Sequence, residues 1–248
     1  MRKKAFTLIE LLVVISGISL LMAVLVPVLA MARQHGKTVL CLSNLRQLTI
    51  AADMYTGSND GYYPIAYMYK AEHPVIISYA WDFTTVKDWT KDEEKVIPGL
   101  LWQGETIEKI HQCPSFTGAH NWLKDPYTGY NYNTSYIGHG QQESIETPAK
   151  TDQVKRPSNC ALFGDGGYSL GANKFMRAPW PNPGDVNFHE RYAGTQDYRH
   201  LDATNVAYCD GSVKTVRKLY TETDKWLQDK IAEGTGFLSP DNSAYDLK

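Results

Sequence analysis

The chain has 248 residues, with 25 basic against 27 acidic side chains and a net charge of −2. That length suffices for one membrane anchor and one domain with a real core. The charge balance leaves no basic excess that would make nucleic acid the main partner. Charge is unevenly placed, however: Arg2, Lys3 and Lys4 lead the chain, and the first acidic residue is Glu10.

From Leu11 to Ala32, 22 residues carry no charge. About 20 apolar residues in a helix cross a bilayer, so the run is long enough to span one. The basic leader is expected to stay in the cytoplasm, which sends the remainder outside. Glu10 is the anomaly. A charge at mid-bilayer costs roughly 2.5–3.5 kcal/mol, so an acidic residue at the head of an apolar run calls for a partner. One reading of the run is a secretory signal, with Ala30-Met31-Ala32 as an A-x-A cleavage site before Arg33. That reading releases a soluble domain, but the run is longer than the usual apolar region of about 7–15 residues.

The other reading cuts ahead of the run. The stretch KKAFTLIELLVV resembles the N-terminal signal of type IV pilins and type II secretion pseudopilins. The resemblance implies that a prepilin peptidase cleaves between Ala5 and Phe6 and then methylates the new amino terminus, giving N-methylphenylalanine. Glu10 and Pro27 then fall at the family's assembly positions. Ala5 departs from the family, which usually has Gly there. The resemblance further implies that the Phe6 amine pairs with Glu10, in its own chain or a neighbour's, and sets register in a homo-oligomeric filament. A charge pair in low dielectric costs far less than a lone charge.

Beyond Pro27, Cys41, Leu45, Leu48, Ala52 and Tyr55 recur at spacings of four and three, which is one helical stripe. Arg33, Lys37, Asn44, Arg46 and Gln47 are expected on the opposite face. The pattern predicts one helix from about Phe6 to Tyr55, roughly 75 Å long. Gly17 and Pro27 are its weak points, and Gly57 is a plausible terminator. Four segments follow: residues 1–5 as leader, 6–32 as the transmembrane half of the helix, 33–56 as its periplasmic half and 57–248 as a globular domain.

In that domain, predicted strands are Ser135–Ile137, Ala161–Gly164, Val206–Cys209 and Val213–Arg217. The last two flank Asp210-Gly211, a tight-hairpin signal. Lys87–Lys95 reads as a solvated face or short helix, and Ile107–Cys113 as a brief helix leading to a strand. Three prolines make Pro179–Gly184 a loop, and the polar tail after Gly234 is expected to be mobile. The fold class is α+β and pilin-like: a long N-terminal helix packed on a small antiparallel sheet.

Several motifs carry potential chemistry. His200, nine residues, then Asp210-Gly211 resembles the H-x9-DG element that ends many bacterial prepilin-like proteins. CLSNLRQLTIAADMYTGSNDGYYP, Cys113-Pro114-Ser115 and Tyr130–Asn133 fit the same group. Asp165 and Asp210 are candidate calcium ligands, although no EF-hand spacing is present and His is a poor calcium ligand. Zinc is disfavoured, because there is no C-x2-C or H-x3-H pairing. In the bland reading Asp210-Gly211 is turn chemistry and His200 a structural hydrogen-bond donor. The four cysteines, Cys41, Cys113, Cys160 and Cys209, read as two disulfides in an oxidising compartment or as buried thiols. Cys41–Cys113 with Cys160–Cys209 is one of the three connectivities they allow.

Gly167–Gly171 matches the G-x-S-x-G elbow of hydrolases, but that elbow requires a helix directly after the serine, and Gly171, Pro179, Pro181 and Pro183 oppose one. Tyr62, Tyr63, Tyr67, Tyr69 and Tyr79 suggest either an aromatic sugar-binding face or packing area. The balance favours a filament subunit without enzymatic activity or cofactor. The resemblance implies an inner-membrane location with the domain in the periplasm, or extracellular once in a filament. It implies as partners a prepilin peptidase, an inner-membrane platform, other pilins and the bilayer. The alternative is a glycan-binding or hydrolase domain, released or held by the apolar segment.

Overall fold

The computed structural model describes residues 7–91, 93–103, 110, 112–118, 125, 127–140, 147–167, 173–182, 194–229 and 231–248. Ala5 and Phe6 lie outside this set, as do most of the expected helix over Ile107–Cys113 and most of the Gly167–Gly171 motif.

One helix, α1 (Leu8–Ser58), runs for 51 residues and passes through Pro27 without a break. Proline has no N–H, so the turn before it lacks one rung of the hydrogen-bond ladder. Residues 7–36 are exposed on every face, including Leu20, Leu21 and Val26. This half is long and apolar enough to cross a membrane, with a mean hydropathy of 2.7 over its best 18-residue window. The second half is embedded. Cys41, Leu45, Leu48 and Ala52 are all fully buried, as the four-three spacing requires of an amphipathic helix. Asn44 breaks the expected division: it is buried and donates to the Gln112 carbonyl at 3.2 Å. The helix also outlasts Gly57, with Asn59 as its C-cap.

After the helix come β1 (Tyr67–Glu72), β2 (Val75–Ala80), β3 (Phe83–Asp88) and β4 (Glu93–Pro98), an antiparallel meander of four strands in sequence order. Lys87–Lys95 thus runs from the end of β3 into β4: its described residues are half-buried or exposed, as expected of a solvated face, and they form no helix. Alternating charges on a two-sided exposed hairpin mimic a solvated helical face in sequence.

The second sheet is built from β5 (Tyr130–Asn133), β6 (Ala161–Gly167), β7 (Phe175–Met176), β9 (Thr204–Tyr208) and β10 (Val213–Val216), in the order β10-β9-β6-β5-β7. At the far end of β6 it is joined by β8 (Thr195–Asp197), which pairs in turn with β11 (Thr235–Gly236). All its pairings are antiparallel except β5 with β7. Ser135–Ile137, expected as a strand, is a turn that follows β5. The remaining three predicted strands are β6, β9 and β10. Gly211 takes φ +78°, the left-handed backbone of the β9–β10 turn, which only glycine adopts without strain.

Packing places α1 across β6 and β9. Leu45 and Leu48 join Trp81, Tyr132, Leu162 and Phe163 in one apolar core. The rings of Trp81, Tyr132 and Phe163 sit 5.2–5.6 Å apart, centre to centre. The Tyr132 hydroxyl donates to the Pro64 carbonyl at 2.9 Å, so its polar end is satisfied. A second core includes Met176, Val206, Phe237 and Tyr245. The tail after Gly234 is therefore packed, not free. Tyr245 is fully buried, its hydroxyl accepts from Leu238 N at 2.8 Å, and Asn133 Nδ2 donates to its carbonyl at 2.9 Å. Phe237, Leu238, Ala244 and Tyr245 are the tail residues that enter this core.

Candidate functional site

The N-terminal end of α1 is closed by a capping box. Thr7 N and Thr7 Oγ1 each donate to Glu10 Oε2 at 2.8 Å, and Glu10 N donates to Thr7 Oγ1 at 3.2 Å. The carboxylate also faces the positive end of the helix dipole. Glu10 therefore has a partner within its own chain. The signal was present in the sequence as Thr7-x-x-Glu10 ahead of an apolar run.

The second concentration of chemistry lies inside the domain. Cys41, Cys113, Asp165 and His200 each bring one ligand-type atom to a common point, all within 4.8 Å of one another, and all four residues are buried. Four separate segments deliver them. Cys41 comes from the buried stripe of α1. Cys113 opens a turn closed by Phe116 N donating to its carbonyl at 3.1 Å, with Pro114 second in the turn, where its fixed φ fits. Asp165 sits on β6 opposite Tyr130 of β5. Its neighbour Gly166 lies so close to Asn173 that a Cβ would come within 2.3 Å of that carbonyl oxygen. His200 stands at the head of a tight turn before β9, where Leu201 and Asp202 both take positive φ, at 55° and 57°.

The contacts inside the cluster are close. The Cys41 thiol donates to Asp165 Oδ1 at 3.2 Å. His200 Nε2 lies 3.4 Å from Cys113 Sγ and 3.3 Å from Asp165 Oδ2. The other ring nitrogen, Nδ1, faces the hydroxyls of Thr38 at 3.3 Å and Ser115 at 3.4 Å. Asn205 N donates to Asp165 Oδ2 at 2.8 Å. Arg199 completes the wall: Nε donates to Cys113 Sγ at 3.3 Å and Nη2 approaches Asp165 Oδ1 at 3.4 Å, while Nη1 pairs with Asp197 at 2.7 Å.

These surroundings favour a charged cluster. Burial raises the Asp165 carboxyl, but Arg199 and His200 outweigh it and hold the group below the usual carboxylate range. Burial lowers His200, yet its bonds to Asp165 and Cys113 push it up to about 9. Burial also raises Cys113, and the contacts with Cys41, Arg199 and His200 reverse that and bring the thiol down. Cys41 goes the other way, raised first by burial and then by Cys113 and Asp165.

The remaining sequence candidates separate. His200 and Asp210 do not meet, because the extended strand β9 lies between them. Asp210 caps its own turn, accepting from Ser212 N at 2.9 Å and Ser212 Oγ at 2.6 Å. Asp165 and Asp210 thus share no oxygen cluster of the kind calcium needs. All four cysteines are free thiols, although the two expected pairs do stand together: Cys41 beside Cys113, and Cys209, whose N donates to the Cys160 carbonyl at 3.0 Å. The five tyrosines do not form one exposed face, since Tyr63 is buried. The sequence reading did not single out Thr7, Thr38 or Arg199. No family model, curated protein or solved structure matches the chain.

Proposed function

We propose that the protein is a structural subunit of a type IV pilus-like or type II secretion pseudopilus filament, and not an enzyme. One observation carries the reading: α1 is a single helix whose first half is apolar and exposed all round while its second half is built into the domain. A helix apolar on every side needs lipid or other such helices as surroundings. In this reading lipid holds the segment before assembly and neighbouring subunits hold it afterwards, with helix packing replacing lipid contacts.

Cleavage between Ala5 and Phe6 by a prepilin peptidase supplies a cationic amine two residues before Leu8, the start of α1. Glu10 then has two partners to choose between, Thr7 within its chain and the Phe6 amine of its own or a neighbouring chain. An inner-membrane platform extracts the subunit, and the domain lies in the periplasm or outside the cell.

The deciding measurement is the mass of the N-terminal peptide from protein extracted from its native membrane. A peptide beginning at Phe6 and one methyl group heavier than unmodified is the expected result. A start at Arg33 overturns the proposal in favour of a released soluble domain. Glu10→Gln is expected to abolish filaments while leaving membrane insertion and domain folding intact. Filaments formed normally by that variant would remove Glu10 from the assembly mechanism.

A further inference from the structure

We propose that Cys41, Cys113, Asp165 and His200 form a closed, tetrahedral binding site for one zinc ion, which joins α1 to the sheet. The inference does not depend on whether α1 enters a filament.

Three features of the cluster point to a metal. The first is the donor set. Two sulfurs, one imidazole nitrogen and one carboxylate oxygen are the ligand types zinc takes, and four protein ligands without an open position mark a structural site. The second is distance. Tetrahedral bonds of the usual zinc lengths place neighbouring ligand atoms about 3.4–3.8 Å apart. One ligand atom from each of the four residues lies within 4.8 Å of the others; His200 Nε2 is 3.3 Å from Asp165 Oδ2 and 3.4 Å from Cys113 Sγ, and Cys41 Sγ is 3.2 Å from the other carboxylate oxygen, Oδ1, so the atoms stand close to zinc-ligand spacing.

The third feature is direction. In a Cys-His-Asp catalytic arrangement the histidine would use one nitrogen for the nucleophile and the other for the carboxylate. Here Cys113 and Asp165 both face Nε2, and Nδ1 is turned to the Thr38 and Ser115 hydroxyls. That is the posture of a metal-ligating imidazole, with one nitrogen to the ion and its other nitrogen fixed by an outer partner. Burial agrees: the four side chains are shut away from solvent, so no substrate reaches the sulfur.

Charge supports the same assignment. A doubly charged ion with two thiolates and Asp165 leaves one negative charge. Arg199, buried against both Cys113 and Asp165 and paired on its far side with Asp197, places a cation beside that charge. Zinc is preferred over calcium or magnesium because thiolates are soft ligands and those ions require oxygen. The absence of a C-x2-C spacing does not count against the site, since its ligands come from four distant segments.

The test uses the full chain, purified in detergent without chelator and without a histidine tag. Elemental analysis by mass spectrometry is expected to find one zinc per chain. Exchange with cobalt(II) is expected to give the intense visible bands of a tetrahedral ion together with a thiolate-to-cobalt charge-transfer band. Cys113→Ser and His200→Asn are expected to lose the metal, whereas Cys160→Ser, outside the cluster, keeps it. Thr38→Val, which removes one hydroxyl from Nδ1, is expected to weaken zinc affinity by about 10-fold. Should a ligand variant not fold, the cobalt spectrum of the unmodified protein still decides. A spectrum without thiolate charge transfer, or a Cys41–Cys113 disulfide in metal-free protein, overturns the proposal.

Discussion

Residues 8–36 and 41–58 of α1 share one backbone hydrogen-bond ladder, yet they solve opposite problems. The second part is amphipathic. It buries Cys41, Leu45, Leu48 and Ala52 against the sheet and turns Gln47 and Met54 outward. The first part has no polar face to turn outward. Leu8, Leu20 and Val26 are each more than 60% exposed in the isolated chain. In water such a surface aggregates, and in lipid it is at home. The contrast teaches that one unbroken helix can join a half packed in a domain core to a half long and apolar enough to cross a membrane. Its stability in the second half comes from tertiary packing. In the first half the hydrogen-bonded helix satisfies its own backbone and leaves every side chain free to meet lipid or a neighbour.

The comparison breaks if a substitution in one half is felt in the other. Leu48→Ala is expected to have the largest effect. It empties a fully buried position, costing about 2–5 kcal/mol of domain stability. Thermal unfolding in detergent should show the loss, and membrane insertion should not change. Leu21→Arg is the mirror image. It places a charge in the middle of the apolar half, costing roughly 2.5–3.5 kcal/mol of insertion. Carbonate extraction of membranes should release the variant, while the domain's unfolding midpoint stays where it was. A shift of that midpoint by Leu21→Arg would mean the first half packs on the domain after all.

Both halves of the helix are legible in the sequence. The stripe Cys41–Tyr55 and the uncharged run Leu11–Ala32 are periodic or continuous signals: the stripe packs on the domain as its spacing predicts, and the run lies in a helix long and apolar enough to cross a membrane. Asp210-Gly211 was legible because turn chemistry is local. The failures share a different cause. Lys87–Lys95 carries no two-residue alternation, since both faces of its hairpin are partly wet. Tyr245 looked like part of a polar tail because its burial depends on Phe237 and Met176, which no local pattern connects to it. The Cys-Cys-Asp-His cluster failed most instructively. Each member is visible in the sequence singly: Cys41 and Cys113 as a disulfide pair or buried thiols, Asp165 as a calcium carboxylate, His200 as a partner for Asp210, because sequence spacing does not report which distant segments meet. What unites them is that α1 crosses β6 just where a Pro114 turn and the Leu201-Asp202 turn converge, and only the fold supplies that.

A smaller effect is expected at the helix start. Thr7→Ala removes the hydroxyl from the capping box and costs about 0.5–2 kcal/mol of local helix stability. Hydrogen exchange should quicken over the first turn and remain unchanged at Leu45 and Leu48. The same variant sharpens the assembly proposal. If Thr7 and the Phe6 amine compete for Glu10, losing the threonine frees the carboxylate, and filament yield holds or rises. A fall in yield with normal insertion would make the cap itself an assembly element.

The finest probe is Gly17→Ala. A Cβ built at Gly17 meets no atom within 4 Å, so within one chain the methyl group fits without strain. Alanine is the better helix former by about 0.5–1 kcal/mol, and the isolated subunit is expected to gain order around that position. Small residues on membrane helices matter chiefly where another helix comes close. If lipid is the only neighbour that the first half ever meets, Gly17→Ala is neutral or slightly favourable in every assay. If helices bundle there, the added methyl group holds them apart, and filaments weaken while the free subunit is stabilised. Opposite signs for subunit and filament in one variant can come only from a second chain at Gly17. The substitution with the smallest effect on the subunit is thus the one that separates a membrane anchor from an assembly helix.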